Sequence, residues 1–270
     1  MKRTLFWIAI ILVVAWSLGP FLWQVVTSLK PDAELTRLQP LLPEKPTLAH
    51  YAAVFSGTPF LRVILNSVAV ASCATLLSLL LGSLAAFGLA KLRVQFRGPL
   101  LVFVLSASMF PPIATVSPLY FIIRSLGLRD TIGALVMTYS TFTLPLSIWV
   151  LTNFFRKIPD EIYRASRVDG CSPVQSFVRV MLPLAAPGVA TAGILIFIFS
   201  WNEFLFALTF TATEASRTIP VAIALFPGLH EVPWGDIAAA SVVVTLPLVA
   251  LVLLFQRRIV EGLTAGAVKG

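Results

Sequence analysis

Residues 158–183 read IPDEIYRASRVDGCSPVQSFVRVMLP, a polar run punctuated by proline and glycine between two long apolar stretches. Pro159 followed by Asp160 and Glu161 opens a helix. Proline fits a first turn, where its missing N–H is not needed, and carboxylates suit the positive end of the helix dipole. Gly170 stops that helix, because glycine can close a helical turn in the left-handed conformation. Ser172-Pro173 opens a second helix, with serine as the N-cap and proline at the first helical position. Val174, Phe177, Val178 and Met181 then fall on one face at helical spacing, and Pro183 closes the element. The expected unit is helix, glycine turn, helix. Its apolar stripe suits either a lipid surface or a protein dock.

Working outward, six stretches meet the need of a membrane helix for about 20 mostly apolar residues. They are Leu5–Thr27, Val63–Ala90, Leu100–Ile123, Ile132–Phe155, Ala185–Phe210 and Ile237–Phe255. Only 12 % of the chain is charged, about half the share in a soluble protein, so the solvent that fits this composition is the bilayer. Lys2 and Arg3 ahead of an apolar run, with Ala15-Trp16-Ser17 behind, also describe a signal peptide. The run continues through Phe21, Leu22, Trp23, Val25 and Val26, too long for one, and is read as a retained span. The fold class is therefore all-α and polytopic, a single transmembrane domain over residues 1–270.

Orientation follows from Lys and Arg. Lys2, Arg3, Lys91, Arg93, Arg97, Arg156, Lys157, Arg164, Arg167, Arg179, Arg257, Arg258 and Lys269 share one side. Lys30, Arg37, Lys45, Arg62, Arg124, Arg129 and Arg217 lie on the other. The richer side is the cytoplasm, which places both termini and the loop 156–183 there. The net charge of +8 is thus scattered as span-end clusters and does not point to nucleic acid. Cys73 in an apolar run and Cys171 in the loop are not expected to pair. No zinc spacing occurs, and His50 and His230 read as isolated surface residues. Pro145 and Pro247 predict kinks inside spans four and six, whereas the adjacent Pro111-Pro112 removes two donors and should interrupt span three.

The order Ala165, Asp169-Gly170, Phe177 and Leu182-Pro183 resembles the EAA loop of binding-protein-dependent ABC importer permeases. Phe110-Pro111-Pro112, Pro118-Leu119-Tyr120, Leu126-Gly127-Leu128, Phe154-Phe155 before Ile158-Pro159, and Trp201-Asn202-Glu203-Phe204 are similar to the maltose-type, carbohydrate-transporting branch of that family. The tail Gly262-Leu263-Thr264-Ala265-Gly266-Ala267-Val268-Lys269-Gly270 is similar too. The resemblance covers nearly the whole chain. It implies the type I importer permease fold and an inner-membrane subunit that forms a path with a sister permease. It also implies an extracytoplasmic sugar-binding protein and separate ATP-binding-cassette ATPase subunits. The loop would dock on the ATPase through Glu161, Arg164, Ala165, Ser166, Asp169, Gly170, Leu182 and Pro183. The tail 256–270 would reach it through Gly262, Thr264, Gly266 and Lys269. Arg164 stands where the family has glutamate and Ser166 where it has a second alanine. Glu161, three residues before Arg164, lies on the same helix face and is positioned to compensate.

Glu203 is the one acid inside an expected span, and an ionisable group at membrane depth costs at least about 2.5 kcal/mol on insertion scales. With Trp201 and Asn202 it offers the aromatic face and hydrogen-bonding groups that sugars use. Phe110 is assigned to the same substrate path. Packing against a neighbouring helix is the other reading of this cluster. The chain carries no Gly-x-x-x-x-Gly-Lys-Ser/Thr motif, so a partner hydrolyses the ATP, and it needs no cofactor of its own. No catalytic cluster marks an enzyme. An ion-driven secondary transporter is the alternative, but it would call for several intramembrane acids and an internal repeat.

Overall fold

The computed structural model describes residues 2–35, 41–57, 59–92, 94–226 and 232–264; side chains are described from residue 3 to residue 256 of these. In chain order the helices are α1 (Lys2–Ser28), α2 (Asp32–Leu35), α3 (Ala49–Gly57), α4 (Phe60–Lys91), α5 (Arg97–Ser108), α6 (Pro112–Ser125) and α7 (Ile132–Lys157). They continue with α8 (Asp160–Val168), α9 (Pro173–Ser176), a π-helical turn (Phe177–Met181), α10 (Leu182–Leu184), α11 (Ala186–Asn202), α12 (Leu205–Phe210), α13 (Ile219–Ala224) and α14 (Trp234–Thr264). No strand occurs among the described residues. By length and composition α1, α4, α7 and α14 can each cross a membrane, and two bent pairs raise the number to six if each pair is one span.

Both bent pairs have local causes. Span three breaks by 88° between α5 and α6. Pro111 is extended there (φ −60°, ψ 123°) and Pro112 occupies the first turn of α6, as the loss of two adjacent donors predicts. Pro145 and Pro247 sit inside continuous helices. The stretch expected as span five differs more. The path Pro173–Leu184 ends one residue past Pro183 and bends there by 78° into α11. The π turn just before it widens the backbone, which relieves the clash of a proline ring with the preceding turn. At the other end the helix stops at Asn202, Glu203 is extended (φ −69°, ψ 127°), and a separate short helix, α12, follows.

The contacts divide the chain into two compact units: residues 1–64 with 219–250, and residues 65–218 with 251–270. In the first, α1 exposes apolar side chains along its length, Trp16 most of all. His50 on α3 is buried, against the expectation of an isolated surface histidine; His230 lies outside the described residues. Its Nδ1 is 2.7 Å from Oδ1 of Asp236, its Nε2 is 2.8 Å from the Lys30 carbonyl oxygen, and Asp32 stands 3.9 Å away. The ring also fills the space above Gly235, where a Cβ would overlap it. These partners lie at residues 30, 32 and 236, separations that no local pattern reveals. Burial by itself would lower the His50 pKa; the Asp236 and Lys30 bonds and the two carboxylate charges outweigh it, and the net shift is upward from 6.5.

In the second unit, Phe87, Phe155, Phe177 and Met181 form a buried cluster with Ala86, Leu151 and Ala185. At the opposite end of α7, Asp130 adopts φ 61° and accepts from the backbone of Ala212 and Thr213 and from the hydroxyls of Thr213 and Ser216. Burial works against ionisation there, but those four donors hold its carboxyl well below the usual range. Asn66 donates to the carbonyls of Ala215 and Arg217. The segment after α12 is thus fixed from two sides.

Candidate functional site

The loop predicted as helix, glycine turn, helix folds so. Pro159 is the N-cap of α8, Gly170 takes φ +85°, and Ser172 caps α9 in a full capping box with Gln175. The stripe departs from expectation. Phe177 and Met181 are buried, whereas Val174 and Val178 are 67 % and 51 % exposed. A π turn carries more residues than an α turn, so the four positions do not share one face.

Three connections tie α8 to the rest of its unit. The Tyr163 ring packs edge-on against Phe87, centroids 5.6 Å apart. Phe87 in turn meets Phe177 at 5.2 Å. The Ser166 hydroxyl is buried and sits 2.8 Å from that of Ser176, across the glycine turn. Here serine supplies a hydrogen bond that alanine could not. Finally, Lys91 at the end of α4 buries its side chain and donates to the Ile158 carbonyl at 2.5 Å and to Asp160 at 2.6 Å. The Lys91 hydrogen bond, then its charge, lowers the Asp160 pKa, with Arg164 and Arg97 adding to it. Sequence spacing could not find Lys91, which is distant in the chain; its place at a span end was the only signal.

Of the expected docking residues, Glu161, Arg164, Ala165, Asp169 and Gly170 are exposed on α8 and its turn. Ser166 is buried and Leu182 and Pro183 lie on the far side of the π turn. No ion pair joins Glu161 to Arg164 among the described residues. In the tail, Gly262 and Thr264 lie on the last helical turns of α14, and Gly266 and Lys269 lie outside the described residues.

The second candidate cluster is the break between α11 and α12. Glu203 spends both carboxylate oxygens on the backbone N–H groups of Phe206 (2.9 Å) and Ala207 (3.2 Å), capping α12. Trp201 is buried and stacks on Phe197 at 5.6 Å. Asn202 is exposed and donates to the Ile198 carbonyl. Phe110 is exposed beside the break that precedes α6, and α12 packs on α6 and α7, with Phe206 stacked on Phe142 at 4.8 Å. The structure therefore gives Glu203, Trp201 and Asn202 local partners, and of the four residues Phe110 and Asn202 are exposed. Among the described residues no group of three His, Cys, Asp or Glu could hold a metal, and Cys73 and Cys171 are free.

These features can be set beside known proteins. Residues 78–264 match the family model described as "Binding-protein-dependent transport system inner membrane component". The chain is 44 % identical to the trehalose transport system permease protein SugB of Mycobacterium tuberculosis, covering all of this chain and 99 % of that one. It is 43 % identical to the trehalose/maltose transport system permease protein MalG of Thermococcus litoralis, again over its full length and 98 % of the relative. The sulfoquinovosyl glycerol transport system permease protein SmoH of Agrobacterium fabrum is 42 % identical over 94 % of the chain and 89 % of the relative. In fold, the chain is similar to a bacterial ABC transporter that imports the acidic polysaccharide alginate, with a TM-score of 0.82 at 20 % identity over 95 % of each chain. The model match spans more than half of the chain and the relatives align end to end. The chain therefore belongs to the binding-protein-dependent transport system inner membrane components, the permease subunits of ABC importers, a family of membrane channel subunits and not of enzymes.

Proposed function

We propose that this chain is the membrane-spanning subunit of an ATP-driven importer for α-linked glucosides of the trehalose and maltose type. The observation that carries the reading is the end-to-end similarity to two permeases named for those sugars. On this reading the whole chain acts as one transmembrane domain with both termini in the cytoplasm. It lines a path together with a sister permease, receives sugar from an extracytoplasmic binding protein, and is driven by ATPase subunits that bind the nucleotide in its place.

The loop 156–183 is the coupling element. A displacement of α8 is felt by α4 through Lys91 and by the Phe87–Phe155–Phe177 cluster through Tyr163, because packed rigid elements with few internal degrees of freedom transmit motion. Gly170 and the Ser166–Ser176 bond hold α8 and α9 in fixed register. The tail 256–270 adds a second contact with the ATPase. At the other site, Phe110 and Asn202 offer an aromatic face and an amide to the sugar, while Glu203 and Trp201 shape the wall that carries them. The test is co-expression with the sister permease and ATPase. Hydrolysis stimulated by the binding protein loaded with trehalose or maltose is expected. Stimulation by neither sugar removes the substrate assignment.

A further inference from the structure

A cavity of about 950 Å³ opens between the end of α4, the link to α5 and the first turns of α8. Its walls include Lys91, Gln95, Arg97, Asp160, Tyr163 and Arg164. The charges are unevenly matched. Lys91 is committed to Asp160 and to the Ile158 carbonyl, which uses the lone carboxylate lining the cavity. Arg97 and Arg164 are left without a hydrogen bond or ion pair among the described residues. Lys91, Arg97 and Arg164 thus share one wet space with a single carboxylate, Asp160, whose charge the two arginines also feel. The two guanidinium groups, in excess of that one acid, form a receptor for a planar anion, because each can hold a carboxylate or phosphate through two parallel N–H bonds.

The neighbourhood selects the occupant. A helix that lies on lipid needs a continuous apolar face. The exposed residues of α8 are Asp160, Glu161, Arg164 and Arg167, with only Ala165 and Val168 apolar, and the exposed Asp169 follows at its end. That mixed-charge surface fits a protein partner and borders the cavity directly. We propose that this cavity receives an aspartate or glutamate side chain of the ATPase subunit docked on α8, held between Arg97 and Arg164. The proposal rests on the reading that α8 docks the ATPase and adds the chemistry of the contact. It makes the permease cationic and the ATPase anionic at this point, so that docking is sensitive to salt.

The experiment uses the assembled complex of this chain, its sister permease and the ATPase. Retention of the ATPase on affinity-captured permease is titrated for the wild type, R97Q, R164Q, the double variant R97Q/R164Q and R97K/R164K. The expected result is at least a tenfold weaker ATPase affinity for the double glutamine variant, a smaller loss for the lysine pair, and unchanged membrane yield in all. Wild-type affinity in the double glutamine variant overturns the proposal while leaving α8 as the dock. Failure of the wild type to retain the ATPase overturns both. A parallel arm measures protection of the permease by phosphatidylglycerol vesicles. Protection lost in R97Q/R164Q with the ATPase still held assigns the cavity to a lipid headgroup and overturns the proposal.

Discussion

Replacing Gly170 isolates backbone geometry from packing. The residue has φ +85°, and a Cβ built on it would meet nothing within 4 Å. A larger side chain is therefore not excluded by space, and the cost of substitution is conformational. Forcing a β-branched residue into the left-handed region costs on the order of 1–3 kcal/mol, which lowers the population of the native turn by about fivefold to about 150-fold. That turn carries the bond from the Cys171 N–H to the Ser166 carbonyl, 3.0 Å, and the Ser166–Ser176 contact. Its loss frees α8 from α9 while leaving the spans untouched. G170V should therefore insert at normal yield and bind its ATPase weakly, or hydrolyse ATP without moving sugar. G170N, whose side chain tolerates the left-handed region, should retain most of the coupled activity. ATPase retention and transport per ATP hydrolysed, measured for both, decide the matter. Equal loss in the two variants refutes the conformational argument, and normal coupled transport in G170V removes this loop from the mechanism.

The buried histidine gives a pH dependence of known sign. The folded-state pKa of His50 is raised, so its stabilisation is complete below 6.5 and is lost as pH rises through the folded value. The thermal midpoint of the purified protein should fall as pH rises above 6.5, and H50Q should flatten that slope. A second expectation concerns Glu203: E203A uncaps α12 at a cost of about 1–2 kcal/mol and should lower uptake with the ATPase still bound. E203Q, which keeps an acceptor oxygen, should lose less; equal uptake by E203A and wild type would leave the cap without a function. For orientation, a reporter fused after Val268 should read cytoplasm and one inserted within residues 41–57 should read the outside. The reverse pattern overturns the topology drawn from Lys and Arg.

Much of the fold was legible because membrane helices declare themselves by length and composition. The double proline at 111–112 and Gly170 were readable for the same reason, since each acts through its own backbone. What escaped were features made by distant residues. His50 meets Asp236 across 186 positions and Lys91 meets Asp160 across 69, and neither spacing has a local signature. The end of α11 at Asn202 was hidden because Glu203 lies in an apolar run, where hydropathy reads straight through a carboxylate that has turned to cap the next helix. The stripe on the loop failed through the π turn, which altered the helical period that the spacing argument assumed. Family resemblance marked Arg164 as unusual, but only the three-dimensional cavity showed it beside Arg97.

The central claim is that this chain carries sugar inward at the expense of ATP hydrolysed by a partner. Its most direct measurement is uptake of labelled trehalose or maltose by proteoliposomes holding this chain, its sister permease and the ATPase, with the binding protein outside and ATP within. The account predicts accumulation that requires both ATP and the binding protein and persists when ionophores collapse proton and sodium gradients. Uptake that ignores ATP and stops with the ion gradients would contradict it.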